Sequence, residues 1–163
     1  MNFQYLDTPI GTLRLLSDGA QLAKIEFAGH YGTNDAVEYS DTVLAACAAQ
    51  LTDYFAGKRC HFDLPLAPQG TPFQLSVWAA LAKIPYGELR SYRDIARSIG
   101  NPAAVRAVGA ANGRNPLPIV VPCHRVIASN GALTGFAGGL EVKRFLLDLE
   151  GATGASHHAP PGG

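Results

Sequence analysis

The stretch from Asn115 to Val126 restricts the fold of this chain more than any other part of the sequence. Three prolines bracket the apolar run 119–121, so the backbone is expected to be extended there and cannot continue as a helix. Cys123 and His124 follow the last of these prolines. A thiol is a nucleophile only as the thiolate, and a nearby imidazole commonly generates that form. The stretch therefore predicts a reactive cysteine at the end of an extended segment.

A structural cysteine is the alternative interpretation, because a buried free cysteine usually packs as a small hydrophobic residue. On an ideal strand, adjacent side chains point to opposite faces. His124 could therefore serve Cys123 only through a turn or a bridging water. The pair alone does not decide between the two interpretations, and the rest of the chain has to.

Length and cysteine content limit the class of protein. The 163 residues, 47% of them hydrophobic, suffice for one domain or two small lobes. Three cysteines and no N-terminal charged-then-apolar segment argue against a disulfide framework and for a reducing compartment. Cys60 and His61 have no further ligand at zinc spacing, so we predict no metal site. Since no apolar run approaches the roughly 20 residues that span a bilayer, we expect a soluble cytoplasmic protein. We also expect it to act as a monomer and without a cofactor.

Charge is divided unequally along the chain, although the formal net charge is zero. Residues 1–71 contain four basic and eight acidic residues, whereas residues 72–151 contain nine basic and five acidic residues. A positive second half favours a nucleic-acid partner. Asymmetry of this size is also common on proteins that bind none, so charge alone leaves the partner open.

The first lobe has the pattern of a small sheet followed by a helix. Turn signals separate three apolar-rich runs, which predict an antiparallel meander of Phe3–Leu6, Thr12–Leu16 and Leu22–Phe27. Residues 28–41 indicate little beyond a loop. Apolar residues then recur at helical spacing over 44–55, with Asp41 as N-cap and Gly57 just past the end. Cys47 lies on that stripe, so we assign it to the core.

The predicted fold class is α+β, with a small N-terminal antiparallel sheet plus helix joined to a mainly helical C-terminal lobe. We divide the chain into an α/β lobe over 1–63, a linker over 64–71, a second lobe over 72–151 and a disordered tail over 152–163. Thr71 and Pro72 predict the N-cap and first residue of a helix. Phe73 and Trp78 of that helix are expected in the core.

Two short helices around a glycine turn follow. Ser91 to Asp94 has the form of a capping box and predicts a helix through Ser98. In the turn Gly100-Asn101-Pro102, Asn101 is expected to cap a second helix over residues 103–112. The pattern predicts a helix-turn-helix.

The second of these helices is poor in side chains that could read DNA bases. Five of its residues are alanine, and only Arg106 and Asn112 are long or polar. A helix that reads the major groove needs several Arg, Asn or Gln side chains aimed at base edges. Small side chains instead suit close contact with DNA in any sequence context.

Several motifs of the second half occur together in a fixed order. They are Thr71-Pro72-Phe73-Gln74 with Val77-Trp78, Ile84-Pro85-Tyr86-Gly87, Ser91-Tyr92, Gly100-Asn101-Pro102, the stretch from Asn115 to Val126, Thr134-Gly135-Phe136-Ala137-Gly138-Gly139-Leu140, and a closing helix from Lys143 to Gly151. Residues 71–151 as a whole resemble the alkylguanine-DNA alkyltransferases, or methylated-DNA–protein-cysteine methyltransferases.

The resemblance implies DNA repair by direct reversal of damage. The Cys123 thiolate would take an alkyl group, chiefly methyl, from guanine O6 in one irreversible turnover, with thymine O4 as a further candidate donor. His124 would act through water as the base for Cys123, and Glu150 would orient the imidazole. Tyr92 would donate a proton to the departing guanine and help to rotate the lesion out. Such flipping is needed because a thiolate cannot reach a stacked base, and it costs a few kcal/mol.

The resemblance also implies sequence-independent docking in the minor groove of double-stranded DNA, with Arg106 replacing the extruded nucleotide. The expected DNA contacts are Arg106, Tyr92, Ala104, Ala107, Arg114 and Arg125. The expected base pocket consists of Val126, Phe136, Ala137 and Asn115. Main-chain carbonyls of Cys123 and Val126 and the amide of Ala137 would recognise the guanine edge, and Asn115 would tie the DNA-side helices to the acceptor strand.

The chain departs from the family pattern at two places. Phe136 and Ala137 stand where many relatives have Tyr and some have Ser, so hydroxyl groups are lost, which bears on the rate and on the alkyl groups accepted. Some relatives carry zinc in the first lobe, but the first thirty residues here contain no cysteine. The last helix is expected over 140–150, with Gly151 as its stop and its apolar face formed by Val142, Phe145, Leu146 and Leu149.

Functions from other classes are kept as alternatives. A cysteine-dependent hydrolase would use the same Cys and His but needs an oxyanion hole and turns over repeatedly. A non-catalytic alkylated-base binding protein would keep the helix-turn-helix and lose the thiol. A sequence-specific transcription factor is disfavoured by the alanine-rich helix.

Overall fold

The computed structural model describes residues 1–33 and 35–152. The chain forms two compact units, residues 1–69 and residues 70 onward. Each has its own secondary structure, and together they form the mixed α+β class that the sequence predicts. Among the described residues, no helix is both long and apolar enough to cross a membrane.

The first unit contains a four-stranded sheet in the order β3-β2-β1-β4. The strands are β1 (Asn2–Thr8), β2 (Gly11–Ser17), β3 (Leu22–Glu26) and β4 (Val37–Glu38). The first three form the predicted antiparallel meander. The fourth pairs parallel to β1 and was not predicted. It is two residues long with both side chains exposed, so it has no burial pattern that sequence alone could reveal.

One long helix, α1 (Thr42–Phe55), packs on the sheet of the first unit. The predicted caps are confirmed: the Asp41 side chain accepts a hydrogen bond from the Leu44 amide, and Gly57 adopts a φ of 75° just past the end. Cys47 is fully buried among the apolar residues of the helix, as predicted. Its position on the core face gives it a packing role.

The second unit begins with α2 (Pro72–Leu81), capped by the predicted Thr71. Thr71 and Gln74 form a reciprocal capping box. Trp78 is buried, and its indole N–H donates to the carbonyl of Ala111 at 2.9 Å. Phe73 is only partly buried. The tryptophan thus fixes α2 against the second helix of the helix-turn-helix.

The helix-turn-helix consists of α3 (Tyr92–Ser98) and α4 (Val105–Gly113). The capping box at Ser91 is confirmed, but the start predicted for the second helix is wrong by two residues, and Asn101 does not cap it. Gly100, with a φ of 74°, and Asn101 donate their amides to Arg97 and Ala96, which ends α3 in a Schellman motif. Asn101 is therefore used to close the first helix.

The proline-bracketed run forms a closed loop, not the predicted extended strand. The amide of Val121 donates to the carbonyl of Leu117 at 2.8 Å, and Ile119 has a positive φ of 74°. The Asn115 side chain accepts from the Leu117 amide and donates to the Val121 carbonyl at 3.0 and 2.8 Å. Prolines exclude a helix here, but the side-chain amide of Asn115 supplies the bonds that fold the loop.

A short 3-10 turn, Cys123–Arg125, follows the loop, and strand β6 (Val126–Ile127) pairs parallel to β5 (Arg90–Ser91). The strand therefore begins after the cysteine. The turn changes the direction of consecutive side chains, so Cys123 and His124 are not constrained to the opposite faces of a strand.

The last helix, α5 (Leu140–Leu149), has Glu150 as C-cap and Gly151 at a φ of 74°, as predicted. Its predicted apolar face is only partly correct. Leu146 is buried as predicted, and Val142 and Leu149 are partly buried, but Phe145 is exposed. The buried face is instead completed by Lys143 and Leu147 and continues to the buried Glu150 at helical spacing. Ala152, predicted as the start of a disordered tail, is fully buried with Leu89, Ile127 and Leu147. The rest of that prediction, residues 153–163, lies outside the described residues.

Candidate active site

Cys123 lies at the start of the 3-10 turn and is only 4% exposed. Its amide donates to the Val121 carbonyl at 2.8 Å, so the loop positions it directly. Burial raises the pKa of the Cys123 thiol to about 11, while the Asn115 side chain and the charge of Lys143 act in the opposite direction. The side chain is therefore a thiol at neutral pH and needs a base to become a nucleophile.

His124 and Glu150 form a hydrogen-bonded pair in the interior, with Nε2 and Oε2 2.8 Å apart and both side chains 0% exposed. Burial lowers the pKa of His124. Burial acts to raise the pKa of Glu150, but hydrogen bonds with His124 and Arg125 outweigh it and lower that pKa to about 2. At neutral pH, a neutral imidazole therefore faces an ionised carboxylate.

The ionised state of Glu150 fixes the tautomer of His124. An ionised carboxylate can only accept, so Nε2 carries the proton and Nδ1 has a free lone pair. That Nδ1 atom is buried and has no hydrogen-bond partner within the part of the chain that the structure describes. The imidazole is thus oriented by Glu150 and has an acceptor atom available for a proton.

Arg125 is the third member of this network and is 5% exposed. Its guanidinium binds both carboxylate oxygens of Glu150, at 2.7 and 2.9 Å, and donates to the carbonyl of Ile84 at 2.6 Å. It also lies over the ring of Tyr86, 5.7 Å from the centroid. The side chain is committed to the interior, so the predicted contact of Arg125 with DNA is replaced by a role in holding Glu150.

Tyr92 begins α3 and is half-buried. Its hydroxyl is 2.8 Å from the Thr134 hydroxyl. Burial raises the pKa of Tyr92 and Cys123 adds to this, while the Thr134 bond lowers it. Tyr92 also lies close to α4, since a Cβ atom added to Gly109 would be only 3.9 Å from its ring. A phenol with a raised pKa keeps its proton at neutral pH, so Tyr92 is a hydrogen donor near Cys123.

The residues predicted to line a base pocket differ in exposure. Val126 is buried, Phe136 and Asn115 are partly buried, and Ala137 is exposed. The Val126 carbonyl already accepts a bond from the Lys143 ammonium at 2.7 Å. The Cys123 carbonyl accepts from the Val126 amide and, at 3.4 Å, from Asn112. Both predicted main-chain acceptors therefore have partners inside the protein, and the Cys123 carbonyl already accepts from two donors, one for each of its lone pairs.

Two buried polar residues at the site were not predicted. Lys143 is fully buried, and Asn112, on the second helix of the helix-turn-helix, is 3% exposed. A signal for Lys143 was present in the sequence. Lys143 lies seven residues, or two helical turns, before Glu150, so both residues lie on one face of the helix, and the resemblance already places Glu150 in the site. Asn112 had no comparable signal, since a polar residue near a helix end is usually exposed.

The exposed face of α4 combines small side chains with positive charge. Arg106, Ala107 and Arg114 are exposed, and Ala104 is half-buried. Of the residues predicted to contact DNA, Arg106, Ala107 and Arg114 are thus open to solvent, whereas Tyr92 is half-buried at the start of α3. Among the residues that the structure describes, no three His, Cys, Asp or Glu side chains are grouped as metal ligands would be.

Comparisons with known proteins cover nearly the whole chain. Residues 72–152 match the family described as "6-O-methylguanine DNA methyltransferase, DNA binding domain", and residues 1–68 match "6-O-methylguanine DNA methyltransferase, ribonuclease-like domain". The methylated-DNA–protein-cysteine methyltransferase of Methanosarcina acetivorans is 48% identical over 155 residues, 93% of this chain and 99% of that protein. The constitutive enzyme of that name from Bacillus subtilis is 49% identical over 155 residues, 88% of this chain and 92% of that protein.

A solved structure agrees with the sequence comparisons. Mycobacterium tuberculosis OGT in complex with DNA has a TM-score of 0.88 and 43% identity, covering 99% of this chain and 97% of that one. Both units of the chain are matched by family, and sequence and structure lead to the same group of proteins. The chain therefore belongs to the 6-O-methylguanine DNA methyltransferase family.

Proposed function

We propose that this protein repairs DNA by transferring the alkyl group of O6-alkylguanine, chiefly methyl, to Cys123. The observation that carries the proposal is the buried His124–Glu150 pair next to the buried thiol, with Nδ1 of the imidazole available as an acceptor. Family membership and the relatives' names indicate the substrate. The catalytic function is assigned to residues 72–151, and alkylated thymine O4 is a second candidate donor.

The reaction is a single displacement. Cys123 loses its proton to His124 through a bridging water, and Glu150 stabilises the imidazolium that forms. The thiolate then attacks the alkyl carbon, so that the sulfur–carbon bond forms as the carbon–O6 bond breaks. Tyr92 donates a proton to the leaving guanine, and its phenolate recovers a proton from the imidazolium through solvent. The net change moves one proton from the thiol to guanine and leaves a thioether on Cys123.

The thioether makes the protein an acceptor that acts once. None of the groups around Cys123 provides a route back to the thiol, since an alkyl thioether resists the hydrolysis that releases an acyl-enzyme. A hydrolase would regenerate its cysteine and turn over. Stoichiometry therefore separates the two functions. The three thiols, none of them in a disulfide, suit a reducing compartment such as the cytoplasm.

DNA is engaged through the exposed face of α4 in the minor groove, without sequence preference and by a monomer. The small side chains of Ala104 and Ala107 allow the helix to lie close to the sugar walls, and few long polar side chains are present to read bases. Arg106 is exposed and takes the place of the extruded nucleotide. The half-buried Tyr92 packs near Gly109 of α4, and its hydroxyl is 2.8 Å from that of Thr134.

Intact-protein mass spectrometry tests the proposal. The protein is incubated with a duplex containing one O6-methylguanine, beside a Cys123→Ala variant. We expect the native protein alone to gain one methylene mass at one-to-one stoichiometry, with guanine restored in the DNA. Binding of the lesion without a mass gain would instead indicate a non-catalytic alkylated-base binding protein.

A further inference from the structure

Lys143 carries a buried charge that the proposed reaction does not use. The residue is 0% exposed on α5, and its ammonium donates to two main-chain carbonyls, Val126 at 2.7 Å and Thr134 at 3.1 Å. Removing an ammonium from water costs several kcal/mol. For stability alone an apolar side chain would often serve as well, because replacing buried charge by well-packed apolar groups is frequently neutral or stabilising. The charge therefore calls for a functional explanation.

The two carbonyls belong to segments that flank the reacting atoms. Val126 directly follows the turn that holds Cys123, and its amide donates to the Cys123 carbonyl. Thr134 binds the Tyr92 hydroxyl through its side chain at 2.8 Å. The Lys143 ammonium thus links the backbone that follows Cys123 to the Thr134 segment, whose side chain contacts the Tyr92 hydroxyl.

Lys143 also acts on the thiol electrostatically. Its charge lowers the pKa of Cys123, and Cys123 in turn raises that of Lys143, which burial lowers to about 8. The same charge lowers the pKa of His124. Cys123 and His124, both on the 3-10 turn, are the titratable groups affected by the ammonium, whereas the charged neighbours Glu141, Arg144 and Asp148 on its own helix are exposed.

We infer that Lys143 is a positioning residue for alkyl transfer, which holds a positive charge beside the Cys123 thiolate and joins its turn to the Thr134 segment. This inference rests on the proposed function and deepens it. When Cys123 loses its proton, a negative charge forms in a buried site, and the fixed ammonium compensates it without rearrangement. As the sulfur–carbon bond forms, that charge passes to the leaving guanine.

The test compares Lys143→Met with Arg144→Met, which removes an exposed charge from the next position. Three quantities are measured at pH 7, where Lys143 is charged: the single-turnover rate constant at saturating O6-methylguanine duplex, the affinity for that duplex, and the rate constant for alkylation of Cys123 by iodoacetamide, which requires the thiolate. The iodoacetamide reaction is followed in a Cys60→Ser background and referred to Cys123→Ser. We expect Lys143→Met to lower both rate constants by about tenfold or more, with unchanged DNA affinity. Arg144→Met should match the parent.

Two further variants keep the inference testable if Lys143→Met does not fold. Lys143→Gln keeps a hydrogen-bond donor without charge and should be slow, while Lys143→Arg keeps the charge and should recover part of the rate. A parent-like rate in the uncharged variants would overturn the inference, and so would slow alkyl transfer with an unchanged iodoacetamide reaction, which indicates a merely structural role. If the parent transfers no alkyl group, the proposed function fails, whereas the iodoacetamide reaction still tests the link between Lys143 and Cys123.

Discussion

Both units of the protein bury an arginine–glutamate pair, but the two pairs have different surroundings. In the first unit, Arg14 binds Glu26 at 2.8 Å and donates to the Gly32 carbonyl, while the Gly32 amide donates back to Glu26. The guanidinium lies over the rings of Phe3 and Tyr31. These groups satisfy one another, so the network has the character of a structural clamp on the sheet.

In the second unit, the pair Arg125–Glu150 has a third member. Glu150 also binds His124, whose Nδ1 has no partner among the described residues. Arginine in this network serves to hold the carboxylate ionised, and the carboxylate serves to orient the imidazole. A buried ion pair thus becomes part of a catalytic site when it orients a group that keeps a lone pair available for a proton.

The largest expected effect concerns the two glutamates. Glu150→Gln removes the charge that fixes the His124 tautomer and stabilises its imidazolium, so we expect the single-turnover rate constant to fall by about 10²–10⁴-fold, the usual contribution of a general base. Glu26→Gln should leave the rate constant within about twofold of the parent, because that carboxylate only serves the sheet. Alkyl transfer is measured by quenched-flow sampling and mass, normalised to folded protein. Equal rate constants in the two variants would refute the distinction.

The two arginines should differ in function and agree in stability. Arg14→Met and Arg125→Met each leave a nearly buried carboxylate without its partner, so each should lower the free energy of unfolding by about 3–5 kcal/mol. Only Arg125→Met should also slow alkyl transfer, because Glu150 then loses its bidentate support. Urea unfolding gives the first quantity and single-turnover kinetics below the unfolding transition gives the second. A stable Arg125→Met protein with parental kinetics would show that Glu150 does not need the arginine.

Much of this architecture could be predicted from the sequence, because local patterns determined it. The meander, the helix caps at Asp41, Thr71 and Ser91, and the burial of Cys47 depend on turn residues, capping side chains and helical spacing. Such features act over a few residues. They are therefore visible before the tertiary structure is known.

The failures have a common cause in hydrogen bonds that leave no periodic pattern in the sequence. The loop before Cys123 was predicted as extended because prolines exclude a helix, yet the side chain of Asn115 folds it through bonds to Leu117 and Val121. Arg125 was expected to contact DNA from the family resemblance, and its commitment to Glu150, 25 residues away, was not apparent from local sequence. Interior partners of charged residues have no periodic signal, so their roles became visible only in the structure.

Acid should destabilise the protein through the network of His124, Arg125 and Glu150. The folded-state pKa of Glu150 is about 2 against an ordinary 4.5, so its ionised form contributes stability above pH 4.5 that is lost as the pH falls towards 2, about 3 kcal/mol in all. Burial also lowers the pKa of His124 below 6.5, so its contribution is lost as the pH falls below that value. The free energy of unfolding, measured between pH 7 and 3, should therefore decline steadily, and Glu150→Gln should flatten the decline below pH 4.5. An identical acid limb in that variant would mean that other carboxylates dominate acid unfolding.

The smallest expected effect uses the two helix caps. Asp41→Ala at α1 and Ser91→Ala at α3 each remove a side-chain acceptor from a helix N-terminus, and loss of the cap should cost about 1 kcal/mol of stability in each. Asp41→Ala should cost more in total, because the carboxylate also accepts from Asn2 and Ser17. Ser91 is followed directly by Tyr92, whose hydroxyl must reach the leaving guanine, whereas the sheet unit supplies no reacting group. Ser91→Ala should thus slow alkyl transfer as well, with Ser91→Thr restoring both quantities, and Asp41→Ala should affect thermal unfolding alone. If Ser91→Ala reacts at the parental rate despite its lower melting temperature, the cap stabilises α3 without positioning Tyr92, and the first turn of that helix is as purely structural as that of α1.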